Sequence, residues 1–213
     1  MTVEVKTTEG STPQQCVLVE KDNAPLSVEE VRQIEGYCNS TYIRMFHVRR
    51  LNLTCLKDWI NLKRITLRGC HVVDDEQSLS MDTLESVEFG DDLRKLPNLN
   101  LLVNTKQLRR IDLVHIPHMN CIPQLKNPSQ VKSIDVQACG KLSDPISITQ
   151  FVNLETLKLL NCGFEADSVT EILGKLDLSE AVIAVRDRRK NKEIQTALVA
   201  CGFEPFPSGK RIE

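Results

Sequence analysis

The feature that most constrains the fold is a nine-residue pattern of apolar and polar positions that recurs along the chain. Its clearest copies are LKRITLRGC at 62–70, VKSIDVQAC at 131–139 and LETLKLLNC at 154–162. The third apolar position of the pattern occurs in five clear copies, at Leu67, Phe89, Leu113, Val136 and Leu159. Successive copies are separated by a nearly constant interval. Such a regular period predicts a stack of equivalent units, each burying its apolar face against the next.

The series extends in both directions. A degenerate copy, LSEAVIAV at 178–185, places Ile183 one further period beyond Leu159. One period back from Leu67 lies Met45, in TYIRMFHV at 41–48. A rival register through VRRLNL at 48–53 would leave a connection to the next strand that is too short for a full unit. We therefore place the first strand at Met45.

The period and the L-x-x-L-x-L-x-x-N/C pattern resemble the leucine-rich repeat family, whose units run to about 20–29 residues. The resemblance covers residues 40–186, and the cysteine that ends several copies is similar to the cysteine-containing subfamily seen in F-box/leucine-rich-repeat proteins. In two units the position of this cysteine is occupied by Asp92 and Ile116. The resemblance implies an α/β fold: a solenoid with short parallel strands on the concave face, helical or irregular convex segments, and a cap at each end.

Within each unit, alternate strand residues point to opposite faces. Ile134 and Val136 are expected in the core, while Ser133, Asp135 and Gln137 face outward. With only 4% aromatic residues among 41% apolar ones, aliphatic side chains must fill the core. The recurring cysteines are interpreted as small buried groups that donate weakly to backbone carbonyls at the turn, and not as metal ligands or nucleophiles. They are Cys70, Cys139 and Cys162.

Residues 1–39 are predicted to form an N-terminal cap. CVLV at 16–19 is interpreted as a strand, and LSVEEVRQIEGYC at 26–38 as a helix with a capping box of Ser27 and Glu30. Within the repeats, ADSVTEILGKL at 166–176 predicts a helix capped by Asp167 or Ser168. DPISITQF at 144–151 predicts another, with Asp144 as its cap and Pro145 in its first turn.

Residues 187–213 are predicted to form a C-terminal capping helix and tail. The apolar stripe of this helix consists of Ile194, Ala197, Leu198 and Cys201. Gly202 is expected to end the helix, and Phe203 and Phe206 to fold over the last unit.

The net charge of −2 and the sequence pI of about 6.1 do not favour general binding to nucleic acid or to a membrane surface. The N-terminal residues have no apolar segment typical of a signal peptide, and no run of about 18 apolar residues occurs. We expect an intracellular protein, cytoplasmic or nuclear, in which the eight cysteines are reduced.

Chemical motifs typical of enzymes are missing from the sequence. His115, His118 and Cys121 have spacings found in zinc sites, but no fourth ligand has matching spacing. Nucleophile motifs of the G-x-S-x-G type and glycine-rich phosphate loops do not occur. We therefore predict a non-enzymatic protein with no catalytic residues, no metal and no cofactor.

Binding is expected on the outward strand residues. Glu88, Asp112 and Asp135 fall at the same repeat position, so they should form a row on adjacent strands about 4.8 Å apart. Basic residues flank this row and could neutralise it, namely Arg64, Arg110, Lys132 and Lys158. We predict a non-catalytic interaction module (a scaffold, adaptor or substrate receptor) that binds a basic segment of another protein. The predicted contact residues are Arg64, Glu88, Arg110, Asp112, Asp135 and Lys158.

The basic run RDRRKNK at Arg186–Lys192 offers an alternative. It would make the chain an RNA- or phosphate-binding component of a ribonucleoprotein or regulatory complex. The simpler interpretation is a solvated loop before the last helix, because no aromatic residues are interleaved for base stacking. The F-box-like resemblance also implies a ubiquitin-ligase receptor, but residues 1–40 contain no convincing F-box.

Overall fold

The computed structural model describes residues 2–8, 14–20, 30, 33, 40–56, 59–74, 81–91 and 99–212. The chain has an α/β fold built on one large sheet and one small sheet. Its strands are β1 (Thr2–Thr8), β2 (Gln14–Glu20), β3 (Tyr42–Phe46), β4 (Leu51–Asn52), β5 (Arg64–Arg68), β6 (Val72–Asp74), β7 (Ser86–Gly90), β8 (Arg110–Val114), β9 (Ser133–Gln137), β10 (Thr156–Leu160) and β11 (Glu180–Ala184). The large sheet has nine strands in the order β1-β2-β3-β5-β7-β8-β9-β10-β11. From β2 to β11, each pair of neighbouring strands is parallel, whereas β1 pairs with β2 in the antiparallel direction.

The register aligns the apolar positions of successive strands. Met45 pairs with Leu67, Leu67 with Phe89, and so on to Ile183 in the last strand. This confirms the strand predicted at Met45. The rival segment lies instead in the small sheet, where β4 pairs with β6. The alternation of inward and outward residues along the strand explains this register, because it buries both Ile43 and Met45 completely.

The core lies on one side of the large sheet. The inward residues of its strands from β3 onward are all buried, and they pack against apolar side chains from the connecting segments, such as Trp59, Met119 and Phe151. The described parts of the connections contain 3₁₀ turns at Leu53–Leu56, Asn100–Leu102 and Pro128–Gln130. Three α-helices follow in the C-terminal half: α1 (Ile146–Thr149), α2 (Ala166–Lys175) and α3 (Arg188–Ala200).

The residue directly after each of six successive strands of the large sheet has a positive φ. These residues are His47, Gly69, Asp91, His115, Ala138 and Asn161. The left-handed conformation lets the chain turn sharply off the sheet toward the core. In three units the next residue is the recurring cysteine, whose thiol donates to a carbonyl of its own strand end.

The predicted burial of the recurring cysteines and their hydrogen bonds to backbone carbonyls are confirmed. Cys70, Cys139 and Cys162 are buried and free of disulfides. The Cys70 thiol donates to the carbonyl of Met45 at 3.4 Å, and the Cys162 thiol to that of Val136 at 3.5 Å, so each also contacts the preceding unit. Burial raises the pKa of Cys70 to about 11 and that of Cys162 to about 12. These thiols therefore stay protonated at neutral pH.

Helix α2 buries the predicted face of Val169, Ile172 and Leu173. Its predicted cap is wrong, because the chain is extended at Glu165 and helical from Ala166, so Asp167 and Ser168 lie inside the first turn. Before α1 the N-cap position is Pro145, one residue later than predicted, although the Asp144 carboxylate accepts from the backbone N–H of Ile146 at 3.0 Å.

The predicted loop at Arg186–Lys192 is wrong in its extent. Asp187 is the N-cap of α3 and accepts from the backbone N–H of Lys190 at 2.9 Å, so the helix begins at Arg188 and includes most of the basic run. Ile194 and Leu198 are buried as predicted.

The C-terminal tail covers the edge strand β11. The backbone N–H of Ala181 donates to the Gly209 carbonyl at 2.8 Å, and the backbone N–H of Arg211 donates to the Ser179 carbonyl at 3.2 Å. Phe203 is buried as predicted, whereas Phe206 is 48% exposed because the tail turns back toward the sheet edge at that point. Covering an edge strand removes a site of unwanted strand pairing.

At the N-terminal end, β2 contains the strand predicted at 16–19, and β1 was not predicted. The helix predicted at 26–38 lies outside the described residues apart from Glu30 and Gln33. Within the described parts of the chain, no helix is long and apolar enough to cross a membrane.

Candidate functional site

The outward side of the large sheet from β3 to β11, here called the exposed sheet face, carries the predicted row of carboxylates. Glu88 lies beside Asp112 in the sheet register, and Asp112 beside Asp135. The neighbouring position on β5 is the buried Thr66, and the one on β10 is Lys158. The predicted adjacency of the three carboxylates, called the carboxylate row from here on, is confirmed.

Glu88 is the most extensively bonded member of the row. Its Oε2 accepts from Arg64 Nη2 at 3.3 Å and from Thr66 Oγ1 at 3.2 Å, and its Oε1 accepts from Arg68 Nε at 3.0 Å. Burial acts to raise the pKa of Glu88, but the hydrogen bond and charge of Arg68 outweigh it, so the pKa is lowered. Glu88 is therefore a stable anion whose oxygens are already occupied.

Asp112, in the centre of the row, is only 8% exposed. Arg110 Nε donates to its Oδ2 at 2.7 Å, whereas its Oδ1 is buried with no hydrogen-bond partner among the described residues. Burial raises the pKa of Asp112, and the charges of Asp135 and Glu88 add to that effect. Arg110 thus neutralises Asp112, as the sequence analysis anticipated for the flanking basic residues, by folding along its own strand.

Asp135 is the most accessible member. Lys158 Nζ lies 3.2 Å from its Oδ2, and Gln137 Nε2 donates to its Oδ1 at 2.9 Å. Its side chain is 22% exposed, twice the 11% of the Asp112 side chain. Because both members of the ion pair with Lys158 are partly solvated, this pair is weakly held.

Three of the four basic residues predicted to flank the row do contact it: Arg64, Arg110 and Lys158. Lys132 does not, because it pairs with Glu155 at 2.8 Å near the start of the strands. The sequence prediction missed Arg68, which binds Glu88 and, at 3.4 Å, Asp91. Its position two residues after Thr66, on the outward side of the same strand, was the available signal.

A shallow groove of about 150 Å³, called the polar groove, opens where strands β8 to β11 begin. Its polar lining consists of Arg110, Ser133, Asp135, Thr156, Lys158 and Glu180. Ser133 and Thr156 are bridged by a hydrogen bond of 2.9 Å between their hydroxyls. The groove thus brings three of the predicted contact residues together with Glu180, which the sequence prediction did not single out.

A second groove, called the apolar groove, has a volume of about 240 Å³ and lies at the opposite ends of β10 and β11. Leu160, Ala184, Val185 and Phe206 form its apolar lining. Phe206 comes from the C-terminal tail, which was predicted to fold over the last unit, but the groove that it forms with the strand ends was not predicted.

The other sequence candidates lie apart from the row. The side chains of Arg186–Lys192 are exposed or half-buried, and two of their charges are already paired, Lys190 with Glu165 and Arg189 with Glu193. His115 and His118 are exposed and Cys121 is half-buried. Among the residues with described coordinates, no group of three or more potential metal ligands occurs.

Comparison with models of known protein families and with curated proteins finds no match for this chain. Its function is therefore inferred from the geometry and chemistry of the exposed sheet face.

Proposed function

We propose that this chain is a leucine-rich repeat solenoid that acts as a non-catalytic protein-interaction module, a scaffold, adaptor or substrate receptor, inside the cell. Its partner is another protein, bound on the exposed sheet face through a segment that carries lysine or arginine. The observation that carries the proposal is the carboxylate row, with the unpartnered oxygen of Asp112 at its centre.

The row is costly for the free protein. Like charges directly opposite each other on neighbouring strands are destabilising, by roughly 0.2–1 kcal/mol for each pair. A buried acceptor without a hydrogen bond costs about 1–3 kcal/mol. A small polar residue in place of Asp112 would avoid both penalties, so folding alone gives no reason for a buried carboxylate between Glu88 and Asp135. A cationic side chain from a partner, bound beside the more exposed Asp135, would relieve the repulsion between the carboxylates.

The repeat assignment is supported by features that recur with the sequence period. The strands pair at equivalent positions, six successive strands are each followed by a residue of positive φ, and a buried cysteine follows in three of these cases. Stacked repeats of this kind offer their strand face as an extended binding surface.

The alternative, RNA or phosphate binding, is favoured by the exposed side chains of Arg188 and Lys192 on α3, which make no salt bridge to any described residue. Lys190 and Arg189 are paired with carboxylates, and this pairing reduces the positive potential around the start of α3. Such binding would weaken steeply with added salt, in proportion to the phosphates neutralised.

The proposal is tested by quantitative pull-down from the native source with three baits: wild type, Asp135→Lys, and Arg188→Glu/Arg189→Glu. A true partner is lost with Asp135→Lys and retained with the double variant. Retention with Asp135→Lys and loss with the double variant would instead support the basic segment of α3 as the binding surface.

A further inference from the structure

The polar and apolar grooves lie over the same two strands. Thr156, Lys158 and Glu180 contribute to the first, and Leu160 and Ala184 to the second. Glu180 and Ala184 are the first and last residues of β11. The strand from one to the other spans about 13 Å, which sets the separation of the two grooves.

The charges of the polar groove favour a cation. Arg110 is bound to Asp112 at 2.7 Å, and Lys158 is paired with Asp135 at 3.2 Å. Glu180 makes no salt bridge within the described part of the chain, although Lys210 lies opposite it in the backbone bridge to the tail. Among the charged residues that line the groove, Glu180 is the carboxylate without an ion pair to a described residue, and a lysine or arginine side chain is complementary to it.

The size of the grooves indicates what occupies them. Pockets for small molecules and cofactors run from about 300 Å³ upward. At about 150 and 240 Å³, both grooves are below that range and suit a single side chain each. The apolar lining and the half-exposed ring of Phe206 in the second groove suit a large aliphatic or aromatic side chain.

We infer that the two grooves form one docking track for an extended segment of the partner protein, with a basic side chain in the polar groove and a large apolar side chain in the apolar groove. This inference rests on the proposed function and specifies its ligand. In an extended segment, residues i and i+4 lie on the same side and about 13 Å apart, which matches the track. An α-helix needs about nine residues for that distance, and at 3.6 residues per turn they end on opposite faces.

The inference is tested by selecting a phage-displayed library of random dodecapeptides against the folded wild-type protein. The enriched peptides are expected to share a lysine or arginine and a large apolar residue separated by three positions, in either order. An enriched set with no such spacing, or no enrichment at all, would overturn the docking track.

Affinities of the enriched peptides are then measured by fluorescence polarisation with two variants and two matched controls. Glu180→Gln should weaken binding by about threefold, as loss of a solvated ion pair does. Phe206→Ser should weaken it by about tenfold, as expected for loss of a large apolar contact. The controls are Asp167→Asn, an exposed acid on α2, and Val199→Ser, which at 49% exposure matches Phe206 at 48%.

The outcomes distinguish the docking track from the proposed function. Peptides that lose affinity for Asp135→Asn but keep it for Glu180→Gln and Phe206→Ser would leave the proposed function standing and refute the docking track. Peptides that are insensitive to all three substitutions would refute both. Circular dichroism and thermal unfolding of each variant establish that a loss of affinity is not a loss of fold.

Discussion

Asp112→Asn provides a sensitive test of the energetics of the carboxylate row. The substitution keeps the shape of the side chain and removes its charge. It relieves repulsion from Glu88 and Asp135, which is worth roughly 0.2–1 kcal/mol for each pair. It weakens the contact with Arg110, whose side chain is 56% exposed, and solvated pairs contribute about 0–1 kcal/mol. We expect a net gain of about 1 kcal/mol in the free energy of unfolding.

The effect should depend on pH in a defined direction. Because burial raises the pKa of Asp112 in the folded state, the folded protein binds a proton more readily than the unfolded chain. The cost of the charged form is therefore present at neutral pH and disappears as the pH falls below the unfolded value, about 3.9. Urea unfolding of wild type and variant at pH 7 and at pH 3.5 should show a stability difference that shrinks at the lower pH.

Asp135→Asn is the matched control, because Asp135 is in the same row but is more exposed and has partners for both oxygens. Its effect at pH 7 should stay within about 0.5 kcal/mol, the usual range for surface changes. If Asp112→Asn destabilises the protein by about 1 kcal/mol or more, the ion pair with Arg110 outweighs the repulsion and the energetic case for a binding row is wrong.

The packing supports three more predictions. Leu157→Ala should cost about 2–5 kcal/mol in unfolding free energy, whereas Lys158→Ala should stay within about 0.5 kcal/mol; equal losses would contradict the strand register. With a pKa raised to about 12, the Cys162 thiol should react with maleimide at pH 7 only after unfolding, and rapid labelling of the native protein would refute its burial. Gly209→Ala should lower the melting temperature more than Gly140→Ala, because a Cβ at Gly209 would lie 2.5 Å from the Ala181 carbonyl oxygen whereas one at Gly140 meets nothing within 4 Å. Equal melting temperatures for the two glycine variants would contradict the close docking of the tail on β11.

The strand face could be predicted from the sequence because its geometry is periodic. Alternation along a strand and a constant step between strands are sufficient to place Glu88, Asp112 and Asp135 side by side. Neither rule says how a long neighbouring side chain will lie. The burial of Asp112 depends on Arg110 folding along its own strand, which is a rotamer choice and leaves no mark in the pattern.

Helix starts were predicted less well than helix faces. The apolar stripe of α3 was recognised, but its highly charged first turns were predicted to be a loop. In the structure the helix already begins there, because Asp187 caps it by accepting from the backbone N–H of Lys190. The position of Phe206 over the last strands was expected, but the apolar groove was not predicted, because its shape depends on long-range contacts of the tail. Local sequence patterns contain no information on such contacts.

The most direct test of the central claim is a charge swap between this chain and the basic segment of the partner that the pull-down recovers. Isothermal titration should show that Asp135→Lys weakens binding by about fivefold or more, since it replaces attraction by repulsion. Changing the contacting lysine or arginine of the partner to glutamate should restore affinity for Asp135→Lys but not for wild type. The variant Arg188→Glu/Arg189→Glu should bind the unchanged partner like wild type. If Asp135→Lys binds like wild type while the double variant loses affinity, the exposed sheet face is not the binding surface.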